Sequence, residues 1–198
     1  MSNLFNLFTQ NKSNRPDELN LRLHRALSWL EKAEISQGDM DIQFITLWIS
    51  FNAIYAKEFT KERAADRETF NQFIAEICRL DKEKSIYQII WQRFPQNIRV
   101  MLDNRYVFQP FWDFQNGKIT EKAWREDFEK ANKKALNALA SQDTYDILLV
   151  IFDRLYTLRN QLVHGGATYE SQINRSQLKD GCQILLALIP AIIEIVLN

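Results

Sequence analysis

The stretch L-R-N-Q-L-V-H-G-G, Leu158 to Gly166, holds one of the two histidines of this chain and two of its five glycines. Three of its side chains can do chemistry. His164 carries an imidazole, which unperturbed titrates at about 6.5 and so both takes and gives protons near neutral pH. Arg159 carries a guanidinium that keeps its charge and grips an oxyanion with a two-pronged fork. Asn160, one helical turn before His164, can fix the imidazole or touch the same anion. A base, a permanent cation and an amide in one short string fit proton transfer at a negatively charged group.

A plainer reading also fits part of the string. A cationic residue in the last turn of a helix interacts favourably with the helix dipole, by about 0.3 to 1 kcal/mol. A glycine just beyond it closes the helix. That accounts for His164 and Gly165, but not for the Arg-Asn pair or for Gly166. An Arg five residues before a His is weak evidence by itself; Asn directly after the Arg and glycines directly after the His make the string more specific.

The elements that must position these groups are helical. Five glycines, four prolines and repeated three-four spacing of apolar residues leave almost no alternating strand pattern. Pro16, Asp17 and Glu18 make a first turn, after which Leu23, Ala26, Leu27, Leu30 and Ala33 share one face as far as Gly38. From Asp39 to Phe59 the chain is apolar nearly all round, as in a helix surrounded by others. Asp66 is placed to cap a third helix carrying Phe70, Phe73, Ile74, Ile77 and Cys78. Ile86, Ile89, Ile90 and Phe94 suggest a fourth, ended by Pro95.

Residues 103–118 hold five aromatics, a Pro and an Asn-Gly turn, and read as a packed irregular connection with room for a short hairpin. With no Arg or Lys interleaved among them, these rings fit core filling better than base stacking. Thr120 opens an amphipathic helix with Trp124, Phe128, Ala131, Ala135 and Leu139 inward. Asp143 caps the next, which runs through Ile147, Ile151, Leu155, Leu158 and Leu162 to the glycine pair. On that helix Asn160 and His164 fall opposite the apolar line, in a polar stripe with Asp153 and Thr157, while Arg159 lies on its flank. A last helix fills residues 170–197, with a kink expected at Pro190. The expected fold is an all-α, single-domain bundle of about seven helices.

At 198 residues with 46% hydrophobic and 25% charged content, the chain has the profile of a folded protein with one sizeable core rather than a disordered one. Its 25 basic and 25 acidic residues cancel, so there is no long-range field to gather polyanions, and nucleic-acid contact must rely on a local patch. Cys78 and Cys182 lack the spacing of a metal knuckle or redox pair, which fits a reducing, cytoplasmic setting. The first twelve residues lack the pattern of a secretory signal and read as a short arm or docking strip. The run Ile184 to Leu197 is short for a bilayer span and contains Glu194, so a core or interface helix is expected and no membrane partner.

R-N-Q-L-V-H, Arg159 to His164, resembles the R-x4-6-H motif of the HEPN superfamily. These are small all-helical proteins common in prokaryotic toxin-antitoxin, abortive-infection and CRISPR-linked systems, in which a polar residue, often Asn, follows the Arg. L-W-I-S-F-N-A-I-Y-A, Leu47 to Ala56, resembles the W-x-x-F-N-A-x-Y pattern in the second helix of longer subgroups. The likeness implies one domain over 1–198, with 15–59 and 143–197 as the HEPN-like core and 60–140 as an insertion.

It further implies a metal-independent endoribonuclease, a toxin or defence effector acting on RNA and controlled by an antitoxin or other protein partner. Cutting would use the 2'-hydroxyl as internal nucleophile and leave a 2',3'-cyclic phosphate. Arg159, Asn160 and His164 would form the catalytic set, stabilising a crowded anionic phosphorane and moving its protons. The alternative is a HEPN-like module that binds RNA, a nucleotide or a protein without cutting.

On a regular helix residues five apart sit about 140° apart, so Arg159 and His164 are not expected to share a face of one chain. The resemblance resolves this with a twofold homodimer whose motifs face across a cleft. No cofactor or metal is expected: two histidines and two scattered cysteines make no zinc set, and no G-x-x-x-x-G-K or G-x-G-x-x-G string occurs. Asn52, an amide in an apolar helix, needs partners, and a hydrogen bond to a neighbouring helix fits it better than the alternative, a role in the site. His24 reads as a surface histidine.

Overall fold

Helical periodicity carries through to the structure. A computed structural model describes residues 2–10, 12–55 and 63–198, and among these there are ten α-helices and no strand. The fold is all-α, as expected, with more helices than the seven read from the spacing.

The helices group into two compact units: residues 1–86 with 181–198, and residues 87–180. In the first, the short arm or docking strip expected at the start of the chain is a helix, α1 (Ser2–Gln10), with Phe8 buried. α2 (Asp17–Ile35) begins after Pro16 with Asp17 and Glu18 in its first turn and buries Leu23, Ala26, Leu27, Leu30 and Ala33. α3 (Met40–Tyr55) buries Phe44, Leu47, Trp48, Phe51 and Ile54, and also the polar Gln43, Thr46 and Ser50.

Those polar groups are satisfied within the unit. Ser50 Oγ donates to the Ala26 carbonyl at 2.7 Å, and Gln43 Nε2 to that of Ala33 at 3.1 Å, tying α3 to α2. Phe51 and Tyr55 meet Phe70 and Phe73 of α4 (Arg63–Leu80) with ring centroids 5.6–6.3 Å apart. The W-x-x-F-N-A-x-Y string therefore supplies rings to an aromatic core. α4 is already helical at Arg63, before the expected start at Asp66, whose side chain lies outside the described residues.

The second unit starts within a broken helix. The Asp81 carboxylate accepts the amides of Ser85 and Ile86 at 2.7 and 2.8 Å and starts α5 (Ser85–Gln88), which widens into a π turn over Ile89–Arg93. Pro95 then opens α6 (Pro95–Leu102) as well as ending what precedes it. The expected irregular connection at 103–118 is mostly a 3-10 turn, Arg105–Val107, and α7 (Gln109–Gln115), with no hairpin. Pro110 fits there because the first turn of a helix has no use for its missing N–H.

α8 (Glu121–Ser141) is capped by Thr120, whose hydroxyl accepts from Ala123 N at 3.2 Å. α9 (Thr144–Val163) is capped by Asp143, whose carboxylate accepts from Asp146 N at 2.9 Å. Both caps fall where the sequence placed them. α10 (Arg175–Leu197) contains Pro190 and buries Leu185, Leu188, Ile189, Ile192 and Ile193. It starts later than the helix expected over residues 170–197, and its 23 residues, of mean hydropathy 2.0 in their most apolar window, are long enough to cross a bilayer, yet 56% of that window is buried.

Candidate functional site

α9 buries Ile147, Ile151, Leu155 and Leu158 of the line expected to face the core, while Leu162 at its end is only half-buried. Thr157 departs from expectation: it is buried, its hydroxyl donating to the Asp153 carbonyl at 3.2 Å, and it does not belong to a solvated stripe. The helix stops at Val163. His164 still donates its backbone N–H to the Asn160 carbonyl at 3.0 Å, but its φ and ψ of −99° and 14° have left the helical pair.

The two glycines then act differently. Gly165 takes φ +71°, the left-handed conformation that ends helices. Gly166 lies against the last turn, where a Cβ would sit 3.3 Å from Gln161 Cα and 3.4 Å from its carbonyl oxygen. Ala167 N donates to that carbonyl at 3.1 Å and folds the chain back. Gly166 is thus a close-approach residue against the helix.

This ending brings the three candidate side chains together. Arg159 Nη1 donates to Asn160 Oδ1 at 3.0 Å and stands 3.4 Å from His164 Nε2. The expectation that Arg159 and His164 could not meet in one chain is therefore corrected. The separation of about 140° applies to a continuing helix, whereas His164 is beyond the last helical residue and the arginine stem is long enough to follow it. The Arg–His contact is a hydrogen bond only while Nε2 keeps its lone pair, with the ring proton on Nδ1; a doubly protonated ring makes it donor against donor.

His164 is exposed, and Arg159 and Asn160 are half-buried. The guanidinium uses Nη1 for both contacts, while Nε and Nη2 have no hydrogen-bond partner among the described residues. A fork is left for an oxyanion next to a nitrogen base.

Two neighbours escaped the sequence reading. Tyr156 is 49% exposed and its ring lies 6.0 Å from the Arg159 guanidinium carbon. Its position three residues before the arginine was the available signal. Arg154 is buried with no exposed surface; its guanidinium lies 4.4 Å from the Phe108 ring centre and 5.8 Å from that of Phe128. Its Nη2 makes a long 3.5 Å contact with the Leu102 carbonyl, while Nε and Nη1 have no partner. Burial pulls its pKa down to about 10, opposed in part by the Asp153 charge. The signal was an arginine on the apolar line itself, three residues after Ile151 and four before Leu158.

Gln161, also buried, anchors this helix end. Its Nε2 donates to the Tyr106 carbonyl at 2.8 Å, and its Oε1 accepts from Asn174 Nδ2 at 2.5 Å. In the first unit, Asn52 Oδ1 is buried without the partner expected for it among the described residues. His24 is exposed as expected, its ring 6.3 Å from that of Phe8. Cys182 is buried, its thiol 3.6 Å from the Met40 carbonyl. Among the described residues no three His, Cys, Asp or Glu side chains form a metal-binding group. No family model, curated protein or solved structure matches the chain.

Proposed function

We propose that the protein is a metal-independent endoribonuclease of the HEPN type, with Arg159, Asn160 and His164 as its catalytic set. One observation carries the proposal: a fixed cation with a free fork sits 3.4 Å from an imidazole nitrogen at an exposed helix end. Arg159 would hold the scissile phosphate and offset the charge of the phosphorane, with Asn160 holding the guanidinium. His164 Nε2 would take the 2'-hydroxyl proton as O2' attacks phosphorus and the bond to O5' breaks. The products are a 2',3'-cyclic phosphate and a 5'-hydroxyl, the latter receiving a proton from an imidazolium.

Attack and departure occur on opposite sides of phosphorus, so one imidazole is poorly placed to serve both oxygens. A second copy would supply the other. The homodimer is thus needed for its second imidazole, the proton donor to O5', and not to unite Arg159 with His164. The stretch of chain around the site, residues 156–173, carries exposed apolar side chains: Tyr156 at 49%, Val163 at 47%, Tyr169 at 65% and Ile173 at 70%. Apolar exposure concentrated in one stretch of chain is what a subunit interface there would use. The setting proposed is cytoplasmic, without a membrane partner, as a toxin or defence effector held in check by an antitoxin or other protein.

The non-cutting alternative, a module that binds RNA, a nucleotide or a protein, is favoured by one observation: His164 already caps α9 through its backbone. The two separate on labelled single-stranded RNA incubated in EDTA. Fragments ending in 2',3'-cyclic phosphate, with a DNA oligonucleotide of the same sequence left intact, support the nuclease. RNA retained but uncut supports the binding module.

A further inference from the structure

Outside the Arg159–His164 site, the second unit has an open groove of about 780 Å³ between the α6 end with its 3-10 turn and the first two turns of α8. Arg99, Arg105 and Arg125 line it together with Tyr106, Trp124 and Phe128. Tyr106, one of the rings of 103–118 that read as core filler, is joined here by Arg105 of the same stretch and by Arg99 and Arg125 from elsewhere in the fold. Arg105 lies 5.0 Å from the Tyr106 ring centre and Arg125 5.0 Å from that of Trp124.

Charge in the groove is unevenly committed. Arg125 is paired to Glu121 at 2.6 Å, whereas Arg99 and Arg105 have no carboxylate partner among the described residues. Asp103 and Glu129 also line the groove and will limit its potential. Against them stands a hidden cation: Arg154, fully buried, packs on Phe128, a residue of the groove wall, with two of its nitrogens unpartnered. A buried charge lacking a counter-ion is costly, and an anion brought to the other side of that ring offsets the cost. Trp124, 4% exposed, also has an indole N–H without a partner.

We propose that this groove is a track for single-stranded RNA that leads to the Arg159–His164 site. Arg99 and Arg105 contact backbone phosphates, and Tyr106 and Phe128 offer ring surface to bases. Arg154 acts as a positioning residue, raising the potential of the groove from beneath. Single-stranded rather than duplex RNA fits because only unstacked bases can reach such rings. The track is physically tied to the site: the Tyr106 carbonyl accepts from Gln161, two residues beyond Arg159 on α9. The inference rests on the ribonuclease proposal for its substrate, and its test separates the two.

The test uses the full chain carrying His164→Ala, so that RNA is held without being cut, and a fluorescein-labelled oligouridine of about 12 nucleotides, within the span of single-strand grooves. Anisotropy titrations across a salt series read both Kd and its salt slope. Adding Arg99→Ala and Arg105→Ala, both at exposed positions, is expected to raise Kd about tenfold and to flatten the slope by about 0.7 for each phosphate no longer neutralised. Arg154→Met in the same background is expected to raise Kd about threefold while the melting temperature stays level or rises, a combination that a merely structural arginine would not produce.

An unchanged Kd and slope in the double variant overturns the track, even where the wild type cuts RNA. Weakened binding in a protein whose wild type cuts nothing upholds the groove as an RNA site and removes the nuclease.

Discussion

The Arg159 guanidinium and the His164 imidazole stand 3.4 Å apart at the end of one helix, although five residues separate them in sequence. Their meeting depends on where the helix stops. Were α9 to continue by one more turn, the two would point about 140° apart. The glycine pair that follows is therefore part of the site, since it ends the helix at Val163 and turns the chain back.

Gly166→Ala should consequently injure both stability and activity. The new Cβ meets Gln161 backbone at 3.3 Å, and backbone does not yield as a flexible side chain would. Gly165→Ala places a side chain at φ +71° and costs about 1 kcal/mol. Each variant is expected to lower the melting temperature by about 2–4 °C for a chain of this size, and to reduce RNA cleavage by more than the loss of folded protein explains. Thermal melts and single-turnover rates on the same samples check this.

Arg154 gives a prediction of opposite sign. Its charge is buried with Nε and Nη1 unpartnered, so Arg154→Met should leave stability unchanged or raise it by about 1–4 kcal/mol, whereas Arg154→Ala should lower it by about 2–5 kcal/mol through the cavity it opens. The pH dependence follows from a folded pKa lowered to about 10 from the higher value of an ordinary guanidinium. Between those values the unfolded chain holds a proton that the folded chain has released, so the wild type gains stability with rising pH there. The advantage of Arg154→Met should be full below about pH 10 and shrink above it, as read by urea unfolding on either side.

Gln161→Leu removes the partner of the Tyr106 carbonyl and of Asn174 Nδ2 at one stroke. Leaving buried polar groups unmet costs about 1–3 kcal/mol each. Denaturant melts should show a loss in that range, and hydrogen exchange should rise around residues 104–107 and 172–175.

Tyr156→Ala addresses substrate binding without touching the proposed acid–base groups. Its exposed ring beside Arg159 fits stacking with an unpaired base, worth about 1–3 kcal/mol. The expected outcome is about a tenfold rise in KM with little change in kcat. A fall in kcat alone would place the ring elsewhere in the mechanism.

Much of this architecture was legible in the sequence. The buried faces of α2 and α9, the caps at Thr120 and Asp143, and the left-handed Gly165 are local signals, and local signals survive into the fold. Pro95 and Pro110 misled because a proline that stops one helix also suits the first turn of the next, which hid α6 and α7. The three candidate residues were picked out by type and spacing, but their convergence was not, since periodicity describes a helix interior and not its last residue. Arg154 was hidden because its stabilising rings, Phe108 and Phe128, come from distant parts of the chain.

The central claim is that Arg159 and His164 cut RNA together. Its most direct measurement is single-turnover cleavage of labelled single-stranded RNA in EDTA by wild type, His164→Ala and Arg159→Ala, each confirmed folded. The expected result is cleavage by wild type and a loss of at least about a hundredfold in each variant, within the range of general acid–base and electrostatic contributions. Wild type that leaves RNA intact, or variants that cut at the wild-type rate, would contradict it.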